Sequence, residues 1–181
     1  AQMQEMREPD WLVEGLVAQQ SSALLFGKSN AFKSFICIDV ACAVATGQQW
    51  HGLRVKRGRA LYVATEGAIG VAKKRIPGRM EAHGIPEHER SGIFLWPQEI
   101  ALDDDTFADR LIATCRALGC VSLIVFDIFG STMIGPETKD ETARAWVRNL
   151  NRVMRETGAA TLTAAHTGWQ DGTRASMHTP F

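Results

Sequence analysis

The sequence predicts an α/β domain with a mainly parallel sheet and helices on both of its faces. Three observations carry this. Short runs with strand character alternate along the chain with longer helical segments, the order that produces right-handed β-α-β crossovers. One run, Val121–Phe126, is apolar at almost every position, as in a strand covered on both faces. The chain of 181 residues is 45% hydrophobic and 22% charged, ordinary values for a globular domain with a sizeable core. The same figures exclude a disordered or collagen-like chain.

The elements follow in order. Residues 1–20 read as a lead-in and 21–181 as the core. Ala23–Phe26 is a short apolar strand ending at Gly27. Residues 34–46 are apolar almost all round, which predicts a buried helix stopped by Gly47. Ala60–Thr65 reads as a buried strand, and Ala68–His83 as a helix interrupted by Pro77. Gly92–Trp96 is a short strand. Asp103–Leu118 carries Phe107, Leu111, Cys115 and Leu118 at helical spacing behind an acidic start. After the run at Val121–Phe126, Lys139–Thr157 places Ala143, Trp146, Leu150 and Val153 on one helix face. Gly158 ends that helix, Ala159–Ala165 is a last strand, and the final sixteen residues read as loop.

Lys+Arg equals Asp+Glu at 20 each, so net charge points neither to nucleic acid nor to acidic partners. No stretch approaches the 18 or so apolar residues of a membrane span. The first ten residues lack the apolar core of a signal peptide. The chain does not open on Met, and is expected to be a fragment or a processed start. Cys37, Cys42, Cys115 and Cys120 include no C-x-x-C pair, and each lies in or beside an apolar run. Buried, reduced thiols of a cytoplasmic protein are expected, and the histidines give no zinc-ligand spacing.

In parallel sheets, chemistry gathers where strands end. The first strand is followed by Gly27-Lys-Ser-Asn-Ala-Phe-Lys33-Ser34, the G-x-x-x-x-x-K-S form of a phosphate loop, with Phe32 where glycine is usual. A tight turn at Gly27 would let the backbone N–H groups around Ser29, Asn30, Ala31 and Phe32 converge on a phosphate at a helix N-terminus. Lys33 would reach the β- and γ-phosphates of ATP, and Ser34 would ligate Mg²⁺. A plain strand-to-helix turn is the alternative. Asp127 ends the central run, where a carboxylate needs a partner; it is a second candidate for Mg²⁺, or a cap of the next turn. Glu66 follows the second strand, as a base for an attacking water or as an acid favoured by a helix start. His166 follows the last strand, where it could sense the γ-phosphate or serve the structure.

These residues together resemble the RecA-like ATPase core of RepA-type replicative helicases and related phage and plasmid helicase or primase-helicase ATPases. The matching pieces are the loop at 27–34 with its apolar helix, Leu-Tyr-Val-Ala-Thr-Glu-Gly at 61–67, Leu-Ile-Val-Phe-Asp at 123–127, and Glu-Thr-Gly-Ala-Ala-Thr-Leu-Thr-Ala-Ala-His-Thr-Gly at 156–168. They occur in family order from about residue 21 to 178. The resemblance implies a RecA-like P-loop NTPase, an ATP-driven homo-hexameric ring moving on single-stranded DNA. It makes Lys33 and Ser34 the Walker A pair, Asp127 the Walker B acid, Glu66 the catalytic glutamate and His166 the γ-phosphate sensor. Arg75, nine residues past Glu66, matches an arginine placed near the phosphates. The family continues with further strands and an arginine finger, so the sheet is expected to be C-terminally incomplete at Phe181, with no finger assigned to Arg174.

By the same resemblance two loops would face the channel of such a ring: Ile128 to Thr138, and Gly168 to His178 with Trp169 and Arg174. Aromatic and basic residues suit single-strand binding, and an ordinary polar loop fits as well. Arg144, Arg148, Arg152 and Arg155 form a stripe that reads as a solvated helix face. Two other functions stay open: a RecA-like nucleotide-binding accessory module that does not unwind DNA, and a small-molecule kinase, for which the sequence offers no arginine-rich lid.

Overall fold

Five runs of β-branched and apolar residues pair side by side in parallel, and their order is not their order in the chain. The structure, a computed structural model, describes residues 8–96, 98–136 and 139–166. The strands are β3 (Ser22–Gly27), β4 (Arg59–Ala64), β5 (Ile93–Trp96), β6 (Val121–Asp127) and β7 (Ala160–His166), ordered β3-β7-β6-β4-β5. The last strand is thus inserted between the first and the central one, with Gly27 beside His166 and Asp127 beside Ala164. β4 flanks β6 on the other side, so Ala64 lies beside Asp127. All five strands end at one edge of the sheet, which gathers the residues that follow them.

Helices cover both faces, as the alternation predicts. On one face α1 (Lys33–Thr46) and α3 (Ile76–Ala82) pack over Tyr62, Leu123, Val125 and Leu162. On the other, α4 (Asp105–Ala117) and α5 (Asp140–Thr157) cover Leu61, Val63, Ile124 and Phe126. α1 buries Cys37, Ile38, Val40, Ala41 and Val44, which explains its lack of a polar face. It stops at Gly47, whose φ of 75° suits glycine and whose N–H donates to the Ala43 carbonyl. β3 is an edge strand, and Leu24 and Phe26 on one of its faces are exposed.

Three features differ from the sequence reading. The lead-in contains a small hairpin, β1 (Trp11–Val13) with β2 (Val17–Ala18), and Leu12, Val13 and Val17 belong to the core beside α1. Burial of such a side chain contributes about 1.5–3 kcal/mol, so this segment is part of the folded unit. Pro77 does not interrupt its helix. The short α2 (Ala68–Gly70) runs through a π-helical turn, Val71–Arg75, into α3. The wider turn accommodates the ring and the missing N–H, so the helix continues. Cys120 is exposed at the turn before β6, whereas the other three thiols are buried. Burial pushes Cys42 and Cys115 up to about 12, so both remain protonated and unreactive.

Two arginines of the stripe are paired, chiefly across to α4 rather than along their own helix. Arg148 meets Asp105, and Arg152 meets both Asp109 and Glu156. Among the described residues no helix is long and apolar enough to cross a membrane.

Candidate functional site

A cleft of about 620 Å³ opens at the carboxyl edge of the sheet, a size suited to a nucleotide-scale ligand. Ser29, Asn30, Ala31, Phe32, Lys33, Ser34, Glu66, Arg75, Asp127 and His166 all line it. The residues read separately from four strand ends therefore meet in one place. Gly27, the last residue of β3, begins the loop. The left-handed residues that turn it are Asn30 (φ 62°) and Phe32 (φ 57°), not Gly27. Phe32 therefore adopts the backbone conformation that a glycine would supply, at a cost of about 1–2 kcal/mol.

α1 begins within this loop with no side-chain cap on its first-turn N–H groups. α4, by contrast, is capped by Asp104, which accepts from the Thr106 N–H at 2.7 Å. An uncapped first turn beside a lysine is a cradle for an anion. Lys33 is buried at 5% exposure, and its Nζ donates to the carbonyls of Gly27 (2.9 Å) and Lys28 (2.8 Å). Nζ also lies 3.1 Å from His166 Nδ1, which accepts in the tautomer that carries its proton on Nε2. Burial pushes the Lys33 ammonium below its usual value, and the charge of Asp127 opposes that shift.

Asp127 is 6% exposed and satisfied on both oxygens. Ser34 Oγ donates to Oδ1 at 3.0 Å, and the Tyr62 hydroxyl donates to Oδ2 at 2.7 Å. Burial and the adjacent carboxylate hold the Tyr62 phenol above its ordinary range, so it stays a donor. The sequence reading missed Tyr62. Its signal was a polar tip within the apolar run 60–64 of β4, which only the pairing with β6 connects to Asp127. The end of β4 is tied to that of β6 again by Thr65, whose Oγ1 donates to the Asp127 carbonyl and accepts from Ile128 N–H. This tie sets Glu66 on the rim, where Ser131 Oγ approaches its Oε1 at 3.4 Å.

Comparison with known proteins places the whole chain rather than the site. A family model described as an AAA domain matches residues 1–172. The chain belongs to the AAA domain family. The AAA domain is similar in fold to the KaiC-like protein of the hyperthermophilic archaeon Pyrococcus horikoshii OT3, at a TM-score of 0.58 and 16% identity. That match covers 87% of this chain and 66% of the archaeal one, so the chain spans slightly less than two thirds of its length. No curated protein matches by sequence. The fold of this AAA domain is thus RecA/KaiC-like, a P-loop NTPase with a five-stranded parallel sheet.

Arg75 lies in the π-helical turn and lines the cleft, with its guanidinium 5.3 Å from the centre of the Phe35 ring. Of the expected DNA-facing loops, Gly168 to His178 lies outside the described residues, as does Arg174. In the described part of the other loop, Phe129 is buried edge-on against Trp146 at 4.7 Å and offers no ring for stacking. Thr132 accepts from Trp146 Nε1 at 2.9 Å and so fixes the same turn.

Proposed function

We propose that this AAA domain binds and hydrolyses ATP as the motor core of a replicative helicase type acting on single-stranded DNA. The observation that carries ATP hydrolysis is the convergence of Lys33, Ser34, Glu66, Asp127 and His166 on one cleft at the uncapped start of α1. In this reading the loop N–H groups from Ser29 to Ser34 hold the phosphates, and Lys33 balances charge at the β- and γ-phosphates. Glu66 accepts a proton from a water that attacks the γ-phosphorus, while the bond to the β-phosphate oxygen breaks and ADP leaves. In the same reading His166, whose Nδ1 lies 3.1 Å from Lys33 Nζ, responds to the presence of the γ-phosphate.

The oxygen donors suit Mg²⁺. Ser34 Oγ would ligate the ion, and Asp127, whose Oδ1 lies 3.0 Å from that hydroxyl, would hold its water shell. Among the described residues no cluster of three or more His, Cys, Asp and Glu could hold a metal alone, so the ion would come with the nucleotide. When bound it would neutralise charge on the transferring phosphoryl group.

The DNA-motor and hexamer parts of the reading rest on the ordered motifs. The alternative is a RecA-like accessory module whose hydrolysis ignores DNA. Measuring ATP turnover with and without single-stranded DNA decides between them: stimulation supports the motor, and an unchanged rate supports the accessory module. Lys33→Ala is expected to abolish nucleotide binding, and equal affinity in both proteins would reject the phosphate-loop assignment.

A further inference from the structure

Two exposed rings stand at the mouth of the cleft. Phe32 is 71% exposed and Phe35 is 53% exposed, with their centroids 6.0 Å apart and their planes tilted by 57°. Arg75 completes the group, 5.3 Å from the centre of the Phe35 ring. Solvating two neighbouring phenyl rings is unfavourable, and Phe32 additionally holds a left-handed backbone. Neither ring is needed to hold phosphate, which the backbone N–H groups, Lys33 and Ser34 would do. Phe35 directly follows Ser34 in the first turn of α1, and its half-exposed ring lines the same cleft.

We propose that Phe35, with Phe32 and Arg75 beside it, is a stacking platform for the base of the bound nucleotide. This rests on the nucleotide reading of the same cleft and adds the base to it. A planar base laid on a ring replaces exposed aromatic surface, and the guanidinium strengthens such a stack. Stacking uses the π-face that every base possesses and reads no hydrogen-bonding edge. The platform therefore gives affinity for nucleotides over bare polyphosphate with little choice among bases.

Calorimetric titration in Mg²⁺ with ATP, GTP, CTP and tripolyphosphate tests this on wild type, Phe35→Ala, Phe35→Trp and Phe32→Gly. Far-UV circular dichroism confirms that each variant is folded. In wild type ATP binds more tightly than tripolyphosphate, and the three nucleotides fall within about tenfold of one another. Phe35→Ala weakens the nucleotides by about 5- to 150-fold, the range for losing one base-aromatic stack. It leaves tripolyphosphate unchanged, and Phe35→Trp restores nucleotide affinity. Phe32→Gly also alters the phosphate loop, so it is read by the ratio alone: ATP weakens more than tripolyphosphate.

Equal weakening of ATP and tripolyphosphate by Phe35→Ala would overturn the platform and make the ring a support of the loop. So would a wild type that binds tripolyphosphate as tightly as ATP, or a Phe35→Ala variant altered only in native mass. Lys33→Ala with undiminished tripolyphosphate affinity is a separate failure. It rejects the phosphate assignment, and the platform falls with it.

Discussion

Tyr62→Phe removes one oxygen and leaves the ring, so it isolates the hydrogen bond to Asp127 without opening a cavity. That bond is 2.7 Å long, buried, and made to a carboxylate whose other oxygen is already engaged by Ser34. Hydrogen bonds to charged groups contribute about 1.5–3 kcal/mol. With an unfolding entropy of roughly 2.1 cal/mol/K per residue, a chain of this length unfolds with about 0.4 kcal/mol/K. The variant should therefore melt about 4–8 °C below wild type by calorimetry. In an Asp127→Asn background the bond becomes neutral, and the same substitution should cost only about 0.5–1.5 kcal/mol. A melting shift below about 1 °C, or an equal cost in both backgrounds, would refute the idea that Tyr62 acts through the carboxylate.

Further outcomes follow from other groups. Glu66→Gln should retain ATP while turnover stops; normal hydrolysis would place the base elsewhere. Asp127→Asn should shift the Mg²⁺ dependence of ATP binding, and an unchanged metal titration would argue against its assignment. Under native conditions a thiol reagent should label Cys120 alone, since Cys37, Cys42 and Cys115 are buried; peptide mapping that finds another labelled cysteine would contradict the packing. Glu14 is paired with Arg54 at 2.7 Å, and that contact lowers its carboxyl from 4.5 to about 2. Because the folded state lowers this value, its contribution is present above pH 4.5 and is lost as pH falls through about 2. Glu14→Gln should flatten that part of a urea-midpoint profile, and added salt should do the same in wild type.

The strand and helix content was legible because period and punctuation survive in a single chain. Gly47 and Gly158 mark where α1 and α5 stop, and both carry the left-handed φ that such ends require. The loop from Gly27 to Ser34 could be placed between a strand and a helix, and Asp127, Glu66 and His166 could be placed at strand ends. Pro77 misled the reading because a local rule cannot anticipate that a π-helical turn will absorb the ring. Cys120 misled it because proximity to an apolar run is not the same as facing inward. The hairpin at 11–18 was missed because strands of two and three residues leave no periodic trace.

By itself the sequence determined the element types and the chemical groups at the strand ends, since both depend on neighbours within a turn or two along the chain. Which groups meet was decided by strand order. Inserting β7 between β3 and β6 sets His166 against Lys33 across 133 positions of sequence, and pairing β4 with β6 delivers Tyr62 to Asp127 across 65. That order follows from burying both faces of a twisted sheet under four helices. It is a balance summed over the whole core, and no local stretch of residues encodes it.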